Sequence, residues 1–191
     1  MLYATAWQTV GPFLHIGLDG LNADTIAVAG IAGERLTIEG QLVDGEGAPV
    51  PDGLIELWQA NSHGRYAHPE DNRDLPLEPN FTGFARMPTD ADGRFRFFTI
   101  KPGRVPDTSG VPQAPHILVS VFARGILRRM VTRIYFPDEP ANADDPALAR
   151  VPAERRSTLI AAPTANNGVL RFNIVLQGNH LGQGETVFFE I

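Results

Sequence analysis

Five histidines and three tyrosines are the side chains of this 191-residue sequence best able to hold a metal, because it contains no cysteine. His63, Tyr66 and His68 fall within six residues of one another, and His116 follows Pro115 at the start of a predicted strand. His15, His180, Tyr3 and Tyr135 stand apart from them. The cluster has two readings: solvated loop residues, or part of a self-sufficient metal site in which His63, Tyr66, His68 and His116 converge. Side chains alternate along a strand, so a second ligand sharing a face with His116 would have to sit at position 118, which is Leu118. Other chemistries lack their residues. There is no Gly-x-Ser-x-Gly elbow, no glycine-rich phosphate loop ahead of a helix and no thiol nucleophile. Arg124, Arg128, Arg129 and Arg133 form a local basic cluster, read either as a solvated face or as a grip on an acidic small molecule or a partner chain.

The elements that must position these groups are short strands. Leu36, Ile38 and Leu42 alternate with polar residues from Arg35 onward, and the turn Asp44-Gly-Glu-Gly47 follows. Ile55 and Leu57 alternate with Glu56 and Trp58, so the two runs are expected to form a hairpin-like unit. Residues 61–92 read as one long irregular stretch, of a length usually found at functional loops. Arg94–Phe97, Ile117–Phe122, Met130–Phe136, Leu170–Leu176 and Thr186–Ile191 read as further strands, the second and third joined near Gly125. One short helix is predicted from about Pro152 to Ala161, with the proline in its first turn. About eight strands and one helix predict an all-β fold: a β-sandwich core with long loops in a single domain spanning 1–191, of which 1–33 is an N-terminal arm and variable loop.

The composition bounds the function. Sixteen basic against 22 acidic residues leave a net charge of −6, which argues against sequence-independent binding of nucleic acid. Nineteen glycines and 16 prolines favour turns over long helices. No apolar run approaches a membrane span, and the first residues lack a signal peptide's basic region and apolar core, so a cytoplasmic location is expected.

An ordered set of segments resembles the intradiol ring-cleaving dioxygenases. They are Gln8-Thr-Val-Gly-Pro-Phe13, Ile38-Glu-Gly-Gln-Leu-Val-Asp44, Glu56-Leu-Trp-Gln-Ala-Asn61, Gly64-Arg-Tyr66, Thr99-Ile-Lys-Pro-Gly103, Pro115-His-Ile117, Arg133-Ile-Tyr-Phe136 and Gly184-Glu-Thr-Val-Phe-Phe189. The resemblance covers nearly the whole chain. It implies a β-sandwich and, in the branch that acts on protocatechuate in aromatic catabolism (the β-ketoadipate pathway), an assembly of homologous α and β chains. It further implies that the β chain holds a non-haem Fe(III) through two tyrosines and two histidines, phenolate being a hard donor suited to that ion. The enzyme would open the ring of protocatechuate with O2, giving 3-carboxy-cis,cis-muconate.

Set against that pattern, Tyr66 and His116 match one tyrosine and one histidine, while Val105 and Leu118 occupy the other two positions. Gln113 stands where the iron-holding chain carries an arginine. The chain is thus similar to the non-iron α member: no metal and no catalytic residue of its own, Tyr66 and His116 vestigial, and no activity in isolation. The resemblance places Thr9, Gly11, Pro12 and Arg133 along a substrate cavity at the α/β boundary. The remaining alternative is a non-enzymatic β-sandwich module that binds an aromatic acid.

Overall fold

The computed structural model describes residues 3–190, apart from the side chain of His15. Six strands of five to nine residues carry the architecture: β1 (Arg35–Val43), β2 (Leu54–Trp58), β3 (Phe84–Pro88), β4 (Arg94–Ile100), β5 (His116–Phe122) and β6 (Met130–Tyr135). Short strands β7 (Ala162–Pro163), β8 (Val169–Arg171) and β9 (Ile174–Val175) complete one sheet, and β10 (Asn179–His180) with β11 (Gln183–Gly184) forms a separate small hairpin.

Two sheets pack face to face. One runs β4-β1-β8-β7 with β9 also on β1, and the other runs β3-β2-β5-β6. Alternation sends Ile38, Leu42 and Phe97 from the first sheet, and Ile55, Leu57, Ile117, Val119, Val121 and Ile134 from the second, into one core where all are fully buried. The sandwich read from the sequence is therefore present. Among the described residues no helix is long and apolar enough to cross a membrane.

Several local expectations are corrected. β1 and β2 do not form a hairpin; they lie in different sheets. After the Asp44–Gly47 turn the chain returns along β1 only as far as Val50, whose N–H donates to the Leu42 carbonyl. Pro51 then offers no donor, and Asp52 turns with φ at 60°. Gly53 is caught by the Thr89 hydroxyl at 2.9 Å, which starts β2 in the opposite sheet. The stretch 61–92 contains β3, an edge strand whose terminal Pro88 is tolerated because it lies beyond the single bridge, Ala23 to Arg86, on that outer edge. The run 170–176 is broken into β8 and β9. Residues 186–190 form no strand but a single bridge, Phe189 to Val131, and Ile191 lies outside the described residues.

The helix expected at 152–161 is a 3-10 helix, Ala153–Leu159. Thr158 donates its hydroxyl to the carbonyl of Arg155, three residues back, and Arg155 N–H does the same to Pro152, a pattern that favours the tighter winding. The α-helix of the described residues is elsewhere. Pro12–Leu18 (α1) winds with Pro12 in its first turn. The segment after it, read as part of a loop, inserts Ile26, Ala27 and Ile31 into the core. Ala23 exchanges hydrogen bonds with Arg86 of β3, while Asp24 and Ile26 bond Phe98 of β4. The segment thus ties together the outer edges of both sheets, and Arg35 holds it there through the carbonyls of Ala27, Val28 and Ile31.

Candidate functional site

The outer face of the four-stranded sheet carries the candidate chemistry. Register puts Trp58 opposite Leu118, Leu118 opposite Arg133, and His116 opposite Tyr135, so all five side chains share the face turned away from the core. The loop after β2 folds back over that face. Asn61, fully buried, organises it: its side-chain oxygen accepts from His63 N–H and Arg65 N–H, and its amide donates to Pro76 and Glu78.

Gly64 explains the Gly-Arg-Tyr motif. Its φ is +79°, and a Cβ there would lie 2.2 Å from the Arg104 carbonyl, so only glycine lets the two loops meet. That approach brings Val105 beside Tyr66. Both line a cleft of about 580 Å³ with Trp58, His68, Arg73 and Pro106. Tyr66 stacks on Trp58 with ring centres 5.7 Å apart and planes 3° from parallel. Its backbone N–H donates to Asp71, whose carboxyl is held well below its usual range by the hydrogen-bonded Arg73 guanidinium. Burial pushes the Tyr66 phenol above its ordinary value, against the pull of Arg133 and Arg73.

His116 is buried, and its Nδ1 lies 2.8 Å from the Ala114 carbonyl, which makes that nitrogen the donor. Burial, with Arg133 nearby, lowers its pKa to about 4, so the ring is neutral. Arg133 is half-buried. Nη1 donates to the Gln113 side-chain oxygen at 2.7 Å and to the Tyr135 hydroxyl at 3.2 Å, and the guanidinium lies 5.7 Å from the Phe189 ring centre. It has no carboxylate partner among the described residues. Tyr135 donates in turn to Asp145 at 3.0 Å. Asp145 is fully buried and also accepts from the backbone N–H groups of Ala114, Ala147 and Leu148.

The structure therefore brings together Tyr66, Val105, Gln113, His116, Leu118 and Arg133. Val105 and Leu118 have no donor atom, which leaves the Tyr66 phenol and His116 Nε2 as the protein donors. This donor set does not fit a ferric ion. The self-sufficient centre does not assemble either. His63 and His68 are exposed, His68 meets Trp58 edge-on, and no group of three or more His, Asp and Glu side chains gathers as a metal site among the described residues. The side chain of His15 lies outside them.

Thr9, Gly11 and Pro12 sit elsewhere. The Thr9 hydroxyl accepts from Gly125 N–H at 2.8 Å, at the β5–β6 turn, and Gly11 and Pro12 line a small apolar pocket of about 210 Å³ with Leu14, Leu54 and Arg124. The same hydroxyl lies 3.4 Å from the carbonyl of Ala123, just past the end of β5 and five residues beyond Leu118, the partner of Arg133, or roughly 17 Å at about 3.3 Å per residue. Trp58 and Asp145 were not singled out as site residues from the sequence, and Tyr135 was named only among the possible metal ligands. Tyr135 is two residues from Arg133 on the same strand face, so period two points to it; Asp145, on an irregular segment, carries no such signal.

Comparison with known proteins places this scaffold. A sequence model described as Dioxygenase matches residues 22–178. The protocatechuate 3,4-dioxygenase alpha chain of Burkholderia cepacia is 42% identical, over all of this chain and 98% of that one. The beta chain from the same organism is also 42% identical, over 90% of this chain but only 74% of its own length. Among solved structures, the dioxygenase domain of a dioxygenase–carbohydrate-binding fusion from Streptomyces sp. SirexAA-E aligns with a TM-score of 0.63 at 26% identity, over 81% of this chain and 87% of that one. Identity does not separate the alpha from the beta relative; the share of each relative's length that is covered does.

Proposed function

This chain belongs to the intradiol ring-cleaving dioxygenase family, and from that membership we propose that it is the subunit without iron of an α/β protocatechuate 3,4-dioxygenase. The assembled enzyme opens the protocatechuate ring between its two hydroxyl-bearing carbons with O2 to give 3-carboxy-cis,cis-muconate. A homologous β chain supplies all the ligands of Fe(III), and this chain walls the substrate cavity and supports assembly. The carrying observation is the pairing of an intact scaffold with Val105 and Leu118, which have no donor atom, at two of the four positions where the resemblance expects iron ligands.

Arg133 is assigned to the substrate carboxylate. A half-buried guanidinium with no carboxylate of its own retains donors for one, and a charge-assisted pair is strongest where water is excluded. Thr9, Gly11 and Pro12 are assigned to the cavity wall from the arm. Their distance from Arg133 within one chain requires that the arm leave the β5–β6 turn on assembly, or that it serve a different cavity from the one Arg133 serves.

The test is expression of the chain alone and together with a homologous chain carrying the complete Tyr/Tyr/His/His set. Alone it is expected to contain negligible iron and to leave protocatechuate uncleaved; together they regain both. Stoichiometric ferric iron with a phenolate-to-iron colour in the isolated chain would overturn the assignment.

A further inference from the structure

The carboxylate role of Arg133 rests on two hydrogen bonds from one nitrogen, and those bonds have a buried foundation. Nη1 is shared between Gln113 and the Tyr135 hydroxyl, while Nε and Nη2 donate to no acceptor among the described residues. Tyr135 is fully buried and contributes from the same strand face, two residues on. Its hydroxyl has one proton, given to Asp145, so its lone pairs are what Arg133 meets. Asp145 cannot turn away. Its two oxygens accept from three backbone N–H groups besides that phenol, and one of these, Ala114 N–H, lies next to Gln113. Both acceptors of Nη1 are thus anchored on the same carboxylate, one through its side chain and the other through its backbone neighbour.

We infer that Tyr135 and Asp145 are positioning residues for Arg133: they fix one edge of the guanidinium so that Nε and Nη2 are left, pre-oriented, for the carboxylate of the aromatic acid. This deepens the proposed function and depends on its assignment of Arg133. It also gives the one buried carboxylate of this region a task other than pairing directly with the cation. A direct Asp145–Arg133 pair would cancel the charge that the substrate needs, whereas a pair separated by a phenol leaves a countercharge nearby and the cation's open edge free.

The experiment uses the α/β complex with Tyr135→Phe, which keeps the ring and deletes the hydroxyl, and with Gln113→Glu, which gives Arg133 a direct carboxylate. Competitive inhibition is read with 4-hydroxybenzoate and with phenol, alongside KM and kcat for protocatechuate. Because Nη1 keeps its bond to Gln113, losing the Tyr135 contact is expected to cost part of one charge-assisted hydrogen bond, a roughly 3- to 10-fold weakening for 4-hydroxybenzoate and in protocatechuate KM in Tyr135→Phe, with phenol inhibition unmoved. Gln113→Glu is expected to weaken the carboxylated ligands in the same selective way. Equal weakening of phenol and 4-hydroxybenzoate, or no change in either variant, overturns the inference. Arg133→Ala separates the two levels. If it abolishes the carboxylate preference while Tyr135→Phe and Gln113→Glu do not, positioning fails and the cavity assignment stands; if Arg133→Ala leaves the preference intact, both fall.

Discussion

His116 is expected to make this fold acid-sensitive well above the range where carboxylates protonate. Its imidazole has an ordinary pKa of 6.5 and is held near 4 by burial and by Arg133. Between those values the unfolded chain binds more protons than the folded one, so folding stability falls as pH falls through that window. Integrating the two titrations from pH 7 to pH 5 gives a loss of about 2 kcal/mol from this one group. Asp71, held low by its hydrogen bonds from Arg73, acts in a lower window, since its share is lost only below its ordinary 3.8. The perturbation is His116→Asn, whose amide can still donate to the Ala114 carbonyl and does not titrate. The smaller side chain is expected to cost about 1–2 kcal/mol at pH 7 through lost packing. Urea unfolding at pH 7, 6 and 5 is the assay. The variant should begin less stable and lose about 2 kcal/mol less across the range, so that the two proteins converge by pH 5. Parallel pH dependences in the two proteins would refute the reasoning, because the buried neutral imidazole would then contribute nothing to the slope.

Arg133→Ala in the assembled enzyme is expected to weaken use of carboxylated catechols by about 10- to 100-fold, the range of a charge-assisted hydrogen bond, with iron content unchanged by metal analysis. Gly40→Ala should abolish soluble expression or cost more than about 3 kcal/mol in unfolding experiments. A Cβ at that position would lie 1.9 Å from the Phe172 carbonyl and 2.6 Å from the Phe95 ring. Phe97→Ala, at a fully buried site of the sandwich core, is expected to lower unfolding free energy by about 3–5 kcal/mol in urea titrations.

β1 and β4 were legible because polar and apolar residues alternate along them, and β5 and β6 because they are short apolar, β-branched runs bounded by Pro115 and Gly125. The sheet each strand joins was not. Nothing in Asp44–Gly47 distinguishes a hairpin from a turn whose return stroke ends at Val50 and crosses to the other sheet; that depends on Pro51, Asp52 and the distant Thr89 acting together. β3 escaped notice because five residues with one arginine and a terminal proline carry little pattern, and α1 because seven residues with exposed Phe13 and Ile16 show no apolar stripe. At the site, the missing donors at 105 and 118 were readable residue by residue against the family pattern. What was not readable is the Asp145 foundation, where a loop carboxylate meets Tyr135 only through tertiary packing.

The first strand of the sandwich has a consequence for synthesis. β1 pairs in parallel with β8, Thr37 opposite Val169, so one side of the sheet's central strand waits for residues 132 positions later. At roughly 5–20 residues per second the ribosome takes about 7–26 s to deliver them. During that interval Leu36, Ile38 and Leu42 belong to a strand with only β4 for company, an exposed template for pairing with other nascent chains. The order in which this sandwich is threaded therefore predicts slow refolding governed by closure of the C-terminal strands, checked by whether removing residues 169–171 from pairing slows the main refolding phase.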